Sequence, residues 1–328
     1  METNFYPLTQ RRLRADTHMR ELTASVKLSH KSFIQPLFVD EAISQPTEIS
    51  GLNVDTTDSI QNTIREAIDS GIKKFLLFPI PREKQEKDFD FSFASGLIKQ
   101  IKRGFGNEIW IAADVCLCSY TLHGHCGILN EDHSRLINSK TVDVLSHYSS
   151  LLANAGVDCI APSDMMDGRI AAIRSKLDAL GFEQVAIMSY AAKFSSQFYG
   201  PFRDACHSTP ATNGLKNRKT YQVSPFNIND AIRSALRDEA EGADILMVKP
   251  AALYTDVIAK LKQQTLKPIA AYHVSGEYAA IEALADKGLV DRQAAHLETW
   301  AALQRSGADI IISYAAKHAK SWIDNAAL

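Results

Sequence analysis

Three cysteines fall within eleven residues of the chain, Cys116, Cys118 and Cys126, with His123 and His125 alongside. Thiolates at this spacing suit a soft cation such as Zn²⁺, and three protein sulfurs with a fourth position open describe a catalytic metal, not a closed structural one. Cys-x-Cys is less usual than Cys-x-x-Cys as a zinc pair, so buried, inert thiols are the alternative. Cys159 lies inside an apolar run and reads as core, and Cys206 has only His207 beside it. An odd total of five cysteines in a long chain speaks against a disulfide framework.

Lys249 ends the apolar run Ile245 to Val248, and Pro250 and further apolar residues follow it. A lysine at a strand end is usually solvated, but a second one, Lys193, ends the preceding strand region. Two ammonium groups in one pocket depress each other's pKa by repulsion and by desolvation. A neutral amine is what a carbonyl compound needs to form a Schiff base. Arg203, Arg218 and Lys219 flank or lie in a polar stretch, Cys206 to Gln222, where a carboxylate could be held by paired hydrogen bonds.

Such groups need a frame that brings distant segments to one place. Short apolar runs bounded by turn residues predict eight strands: Phe33 to Val39, Lys73 to Pro79, Glu108 to Cys116, Asp158 to Ser163, Val185 to Tyr190, Asp244 to Pro250, Pro268 to Val274 and Asp309 to Ala315. Most are continuously apolar, as strands buried on both faces of a parallel sheet should be. Helical patterns alternate with them, notably Thr57 to Ser70, Ser139 to Ala155, Asn229 to Glu241, Tyr254 to Gln264, Glu277 to Lys287 and Asp291 to Ser306. Four times a glycine stands where a helix gives way to a strand, at Gly71, Gly156, Gly242 and Gly307. The pattern predicts an α/β fold, a (β/α)₈ TIM barrel, with a doubly wound sheet as runner-up and no Gly-x-Gly-x-x-Gly loop to favour it.

A barrel works at the C-terminal ends of its strands, and polar residues collect there: Asp114 and Cys116, Ser163 and Asp164, Lys193, Lys249, Ser275 and Tyr314. Residues 1–32 precede the first strand and carry too few apolar residues for a core, so they read as an arm that lies on something else, such as another subunit. Residues 33–328 form a single catalytic domain, with an active-site lid at about 203–222.

The composition is that of a soluble globular protein: 328 residues, 45% hydrophobic, 36 basic against 38 acidic groups and a net charge of −2. That balance, without a long basic run, argues against nucleic acid or a membrane surface as partner. No signal pattern and no apolar run of about 18 residues is present, which points to the cytoplasm.

The residues that carry the chemistry also carry a resemblance. Met247-Val-Lys-Pro-Ala-Ala-Leu-Tyr-Thr-Asp256, the run Ser189 to Asp204, Ala161-Pro-Ser-Asp-Met-Met-Asp-Gly-Arg169, the cysteine segment to Gly127, and Tyr272 to Tyr278 closely resemble the porphobilinogen synthase (5-aminolevulinate dehydratase) family. These motifs are long and specific from about residue 110 to 315, and looser over 40–105. The resemblance implies condensation of two 5-aminolevulinate molecules to porphobilinogen with loss of two waters, a reaction of haem and other tetrapyrrole biosynthesis, in a barrel with an N-terminal arm and usually in a homo-octamer.

Carried over by residue, Lys249 is the principal Schiff-base lysine and Lys193 its partner. Arg203 and Arg218, with Gln222 nearby, hold one substrate carboxylate, and Ser275 and Tyr314 the other. Ser163 and Tyr199 join the substrate-binding set. Cys116, Cys118 and Cys126 match the zinc-dependent branch, and Asp114 would support a protonated imine. Many bacterial and plant relatives respond to Mg²⁺ through a glutamate whose place Ser234 takes here, so allosteric Mg²⁺ is doubtful, unless Asp238 or an arm residue substitutes. Two other functions fit the residues: a Schiff-base aldolase, which needs one lysine and no sulfur cluster, and a non-catalytic zinc-stabilised scaffold, which would unfold on chelation.

Overall fold

Eight parallel strands close on themselves: β1 (Phe33–Asp40), β4 (Lys74–Ile80), β5 (Trp110–Val115), β6 (Cys159–Pro162), β7 (Ala186–Lys193), β8 (Ile245–Lys249), β9 (Ile269–His273) and β10 (Ile310–Ser313), with β10 pairing back to β1. The computed structural model describes residues 10–210 and 214–326. Helices connect the strands, as the predicted alternation requires, and the fold is the (β/α)₈ barrel. All eight anticipated strands are present, with ends that differ by a residue or a few.

Side chains sort by the two-residue period of a strand. Ile34, Leu76, Ala112, Ala161, Met188, Met247, Ala270 and Ile312 fill the barrel interior, while Phe33, Phe75, Ile111, Ile160, Ile187, Leu246, Ile269 and Ile311 pack against the helices. Both faces are buried, which is why the strands lack polar alternation.

The glycines at the helix ends all have positive φ, and at Gly242 and Gly307 the next amide bonds back five residues, Ala243 to the Asp238 carbonyl and Ala308 to that of Leu303. An aspartate follows three of the four. Asp158, Asp244 and Asp309 each accept, at 2.8 Å, the first interior amide of the preceding strand: Ile111, Ile187 and Ile269. Three carboxylate clamps therefore tie alternate strand pairs at the end of the barrel away from the mouth.

Several elements were not anticipated, among them a hairpin, two longer helices and the short helices Gly200–Ala205 and Ala319–Asp324. A hairpin, β2 (Thr47–Ile49) and β3 (Leu52–Asp55), turns through Ser50 and Gly51, both at positive φ, and adds β3 to the edge of β1 near its C-terminal end. Its strands are too short to stand out from loop. Helices Ser92–Phe105 and Arg169–Ala179 also form; the second buries an arginine at its first position, against the usual pattern. In the arm, residues 1–9 lie outside the described residues; the short helix Thr17–Thr23 and the helical turns at Arg11–Arg14 and His30–Ser32 bury no side chain.

Candidate active site

Along β8, Ile245 and Met247 face inward and Leu246 and Val248 outward, so strand geometry alone carries Lys249 into the mouth. The same count aims Asp114 past Ala112, Ser163 past Cys159 and Ala161, and Tyr314 past Ile312. Lys193 breaks the count: Met188 and Tyr190 are inner, and an odd-numbered 193 should face the helices. Between Ser189 and Ala192 the register shifts, two β7 residues standing against one of β8, and Lys193 comes to lie opposite Lys249. Strand β7 thus runs to Lys193, three residues beyond the predicted end at Tyr190.

Both amines are buried, Lys249 at 3% and Lys193 at 5% exposure. Lys249 Nζ is surrounded by rings, 4.1 Å from the Tyr272 centroid, 4.6 Å from Phe202 and 5.0 Å from Tyr190. Burial, and then the charge of Lys193, bring its pKa down to about 7. Lys193 Nζ donates to the Ser163 carbonyl at 2.5 Å and stands 5.4 Å from the same Tyr190 ring. Burial pushes the Asp114 carboxyl above its ordinary range, against the pull of both lysines, and its Oδ1 has no partner.

The sulfurs of Cys116, Cys118 and Cys126 all lie within 4.8 Å of one another, and among the described residues they are the one cluster of three or more metal-ligating side chains. Cys116 directly follows β5, and the turn beyond it is closed by the amides of Tyr120 and Thr121 on the Leu117 carbonyl. Hydrogen bonds from Cys116 and Cys118 hold the Cys126 thiol well below its ordinary value, while burial pushes Cys116 up, so one thiolate is already favoured in the set. His125 is not free to join it. Its ring nitrogens pair with the Tyr221 hydroxyl at 3.0 Å and the Leu215 carbonyl at 2.7 Å. Three sulfurs within reach of one ion, with no fourth His, Cys, Asp or Glu ligand grouped with them among the described residues, fit an open thiolate site.

Arg218 Nη2 donates to the Gly124 carbonyl at 2.9 Å and that of Ser208 at 2.6 Å. Burial opposes its charge, but the thiols of Cys126 and Cys118 beside it more than offset this and hold it above its ordinary value. Arg203 is half-buried, gives Nη2 to the Ser196 carbonyl at 3.2 Å and keeps a buried Nε without partner. Burial and the charge of Arg218 bring it below its ordinary value. Gln222 is buried with neither amide atom bonded. Ser275 Oγ accepts from the Phe202 amide at 3.1 Å, and the Tyr314 hydroxyl meets that of Tyr272 at 3.0 Å. Tyr199 gives its hydroxyl to the carbonyls of Phe194 and Lys249, leaving its ring to face the amine at 5.5 Å. Of the lid segment, residues 211–213 lie outside the described residues.

A family model described as delta-aminolevulinic acid dehydratase matches residues 8–322. The chain belongs to the delta-aminolevulinic acid dehydratase family. It is an enzyme of the lyase class. Curated relatives of that name from Halalkalibacterium halodurans and Bacillus subtilis are 40% and 39% identical over 321 and 320 residues, covering 96% and 95% of this chain and 96% and 97% of theirs. Among solved structures, the Toxoplasma gondii ME49 delta-aminolevulinic acid dehydratase (porphobilinogen synthase), in complex with its reaction product porphobilinogen, is similar at a TM-score of 0.91 and 37% identity, with 97% of this chain and 92% of that one covered.

Within this member of the family, the fold brings both lysines, Asp114 and the cysteines to one end of the barrel. The rings around Lys249 escaped the sequence reading: Tyr272 and Phe202 lie inside the motifs, but ring enclosure of an amine has no linear spacing. Asp164, just past the end of β6 as expected, accepts the Met166 amide at 2.7 Å and stands 3.5 Å from the Arg169 Nε. No described helix is long and apolar enough to cross a membrane.

Proposed function

We propose that the chain is a porphobilinogen synthase that joins two molecules of 5-aminolevulinate through lysine imines, with loss of two waters. The observation that carries this reading is the placement of Lys193 opposite Lys249, whose amine is held near pKa 7 inside a ring-lined mouth. Neutral Lys249 attacks the ketone of one substrate, and the resulting carbinolamine loses its hydroxyl as water to leave the imine. Lys193 holds the second substrate in the same way, and Asp114 supports the protonated imine. Arg203, Arg218 and Gln222 receive one carboxylate, and Ser275 and Tyr314 the other; Ser163 and Tyr199 shape the walls. Zn²⁺ on Cys116, Cys118 and Cys126 would, when bound, polarise a carbonyl or ready a hydroxide for proton transfer. A single-lysine aldolase would have no use for these sulfurs.

The same reading takes residues 33–328 as one catalytic barrel with a lid at about 203–222. It places residues 1–32 on a neighbour in a homo-oligomer, an octamer, and the enzyme in the cytoplasm. A pyrrole assay on pure protein with 5-aminolevulinate tests it. Only the neutral amine is a nucleophile, so kcat/KM should rise with pH through about 7 and then level, not climb on toward the ordinary lysine range. Absence of pyrrole product, or a rate still rising tenfold per pH unit above 8, would contradict it.

Mg²⁺ should leave the rate unchanged. Ser234 is buried and bonded by Arg237 at 3.4 Å. Asp238, the other candidate for holding the cation, is fully buried and occupied by Arg169, Arg237 and Ser189. With the guanidinium of Arg237 already in place, little is left to favour a hard divalent ion. A severalfold, saturable rise on adding millimolar Mg²⁺ to zinc-replete enzyme would overturn this.

A further inference from the structure

The β7 bulge decides which way Lys193 points, and one buried arginine lies against it. In a regular strand of the same sequence, pairing would continue from Ser189 opposite Leu246, both outward, and four residues on Lys193 would face the helices like Ser189. Instead Ala191 and Ala192 both pack in the outer layer, and the next side chain turns into the mouth. A bulge leaves strand groups without ladder partners.

Arg169, fully buried, supplies donors there. Its Nη2 reaches the Tyr190 carbonyl at 3.4 Å and the Ser189 hydroxyl at 3.1 Å, while Nη1 ties the Met166 carbonyl at 3.1 Å. The fork is locked by Asp238, also fully buried, at 2.8 and 3.2 Å, and Asp238 accepts the Ser189 hydroxyl as well. One guanidinium therefore spans the loop after β6, the bulge in β7 and the helix Ile228–Ala240 that leads into β8. A fixed planar fork can serve such divergent acceptors, and a lysine ammonium cannot.

We propose that Arg169, held by Asp238, is a positioning residue that braces the β7 bulge and so keeps Lys193 beside Lys249. This deepens, and rests on, the reading of the two lysines as the imine-forming pair. The brace touches neither substrate nor the reacting amines. Its loss changes where Lys193 sits and leaves Lys249, at the end of regular β8, in place.

The test is borohydride trapping of levulinic acid, a simple keto acid, with the ratio of Lys193 to Lys249 labelling read by peptide mapping. In the unaltered protein both lysines should be labelled. Arg169→Lys keeps a cation against Asp238, and so spares the buried carboxylate, but loses the fork. The ratio should fall by roughly tenfold or more while thermal unfolding stays cooperative, since small misplacements of reacting groups are costly. Should that variant not fold, Asp238→Asn, which keeps the shape and removes the anion, is read for the same ratio. A folded variant with the original ratio overturns the brace, as does label confined to Lys249 in the unaltered protein. Label on neither lysine overturns the imine reading itself.

Discussion

Lys249→Ala is expected to lose turnover by at least about a thousandfold, in line with deleting a covalent nucleophile, and to lose borohydride-trapped substrate at that position. Lys249→Arg should be as inactive, because guanidinium keeps the charge and cannot form the imine. Neither loss reflects unfolding. A lysine at 3% exposure opposes folding more than it helps when charged, and Lys249→Met, with similar length and no charge, should unfold at an equal or higher temperature. Normal turnover in Lys249→Ala, with substrate trapped elsewhere, would remove the lysine from the chemistry.

Removing the metal, or Cys126→Ala, should cost several kcal/mol of transition-state stabilisation, on the order of a thousandfold in kcat. The sulfurs lie beyond β5 in a small group of their own, outside the two large apolar clusters that hold the barrel and touching one of them through Tyr221. Chelation should therefore silence the enzyme and barely move its unfolding temperature, whereas a scaffold stapled by zinc would melt. Lead, which prefers sulfur, should compete for the same three thiolates. Full activity in protein shown by elemental analysis to be metal-free would exclude this role.

Much of this was legible in the linear sequence because barrel strands are continuous apolar runs and each Gly-Asp junction marks where a helix ends. The period of two then orients Lys249, Asp114, Ser163 and Tyr314 without further information. It misdirects at Lys193, since a bulge changes the parity and nothing in Ser189-Tyr-Ala-Ala-Lys193 announces one. The Tyr199 hydroxyl and both ring nitrogens of His125 are engaged by groups distant in the sequence, such as the Lys249 and Leu215 carbonyls, and those engagements exist only after folding. The buried Arg169 at the start of a helix was equally hidden, because an arginine there ordinarily reads as solvated.

The three aspartate clamps join residues 47, 57 and 40 positions apart, each closing a loop of one strand and the one or two helices that follow it. Closure at that range is entropically cheap compared with joining β10 to β1 across nearly the whole chain. Strand pairs joined by clamps therefore have less loop entropy to overcome than the β10–β1 seam, whose formation is expected to be the slower step. The clamps lie at the end opposite the lysines and sulfurs. Alignment is set at one rim of the cylinder, and the loops of the other rim are left free to diversify without disturbing it.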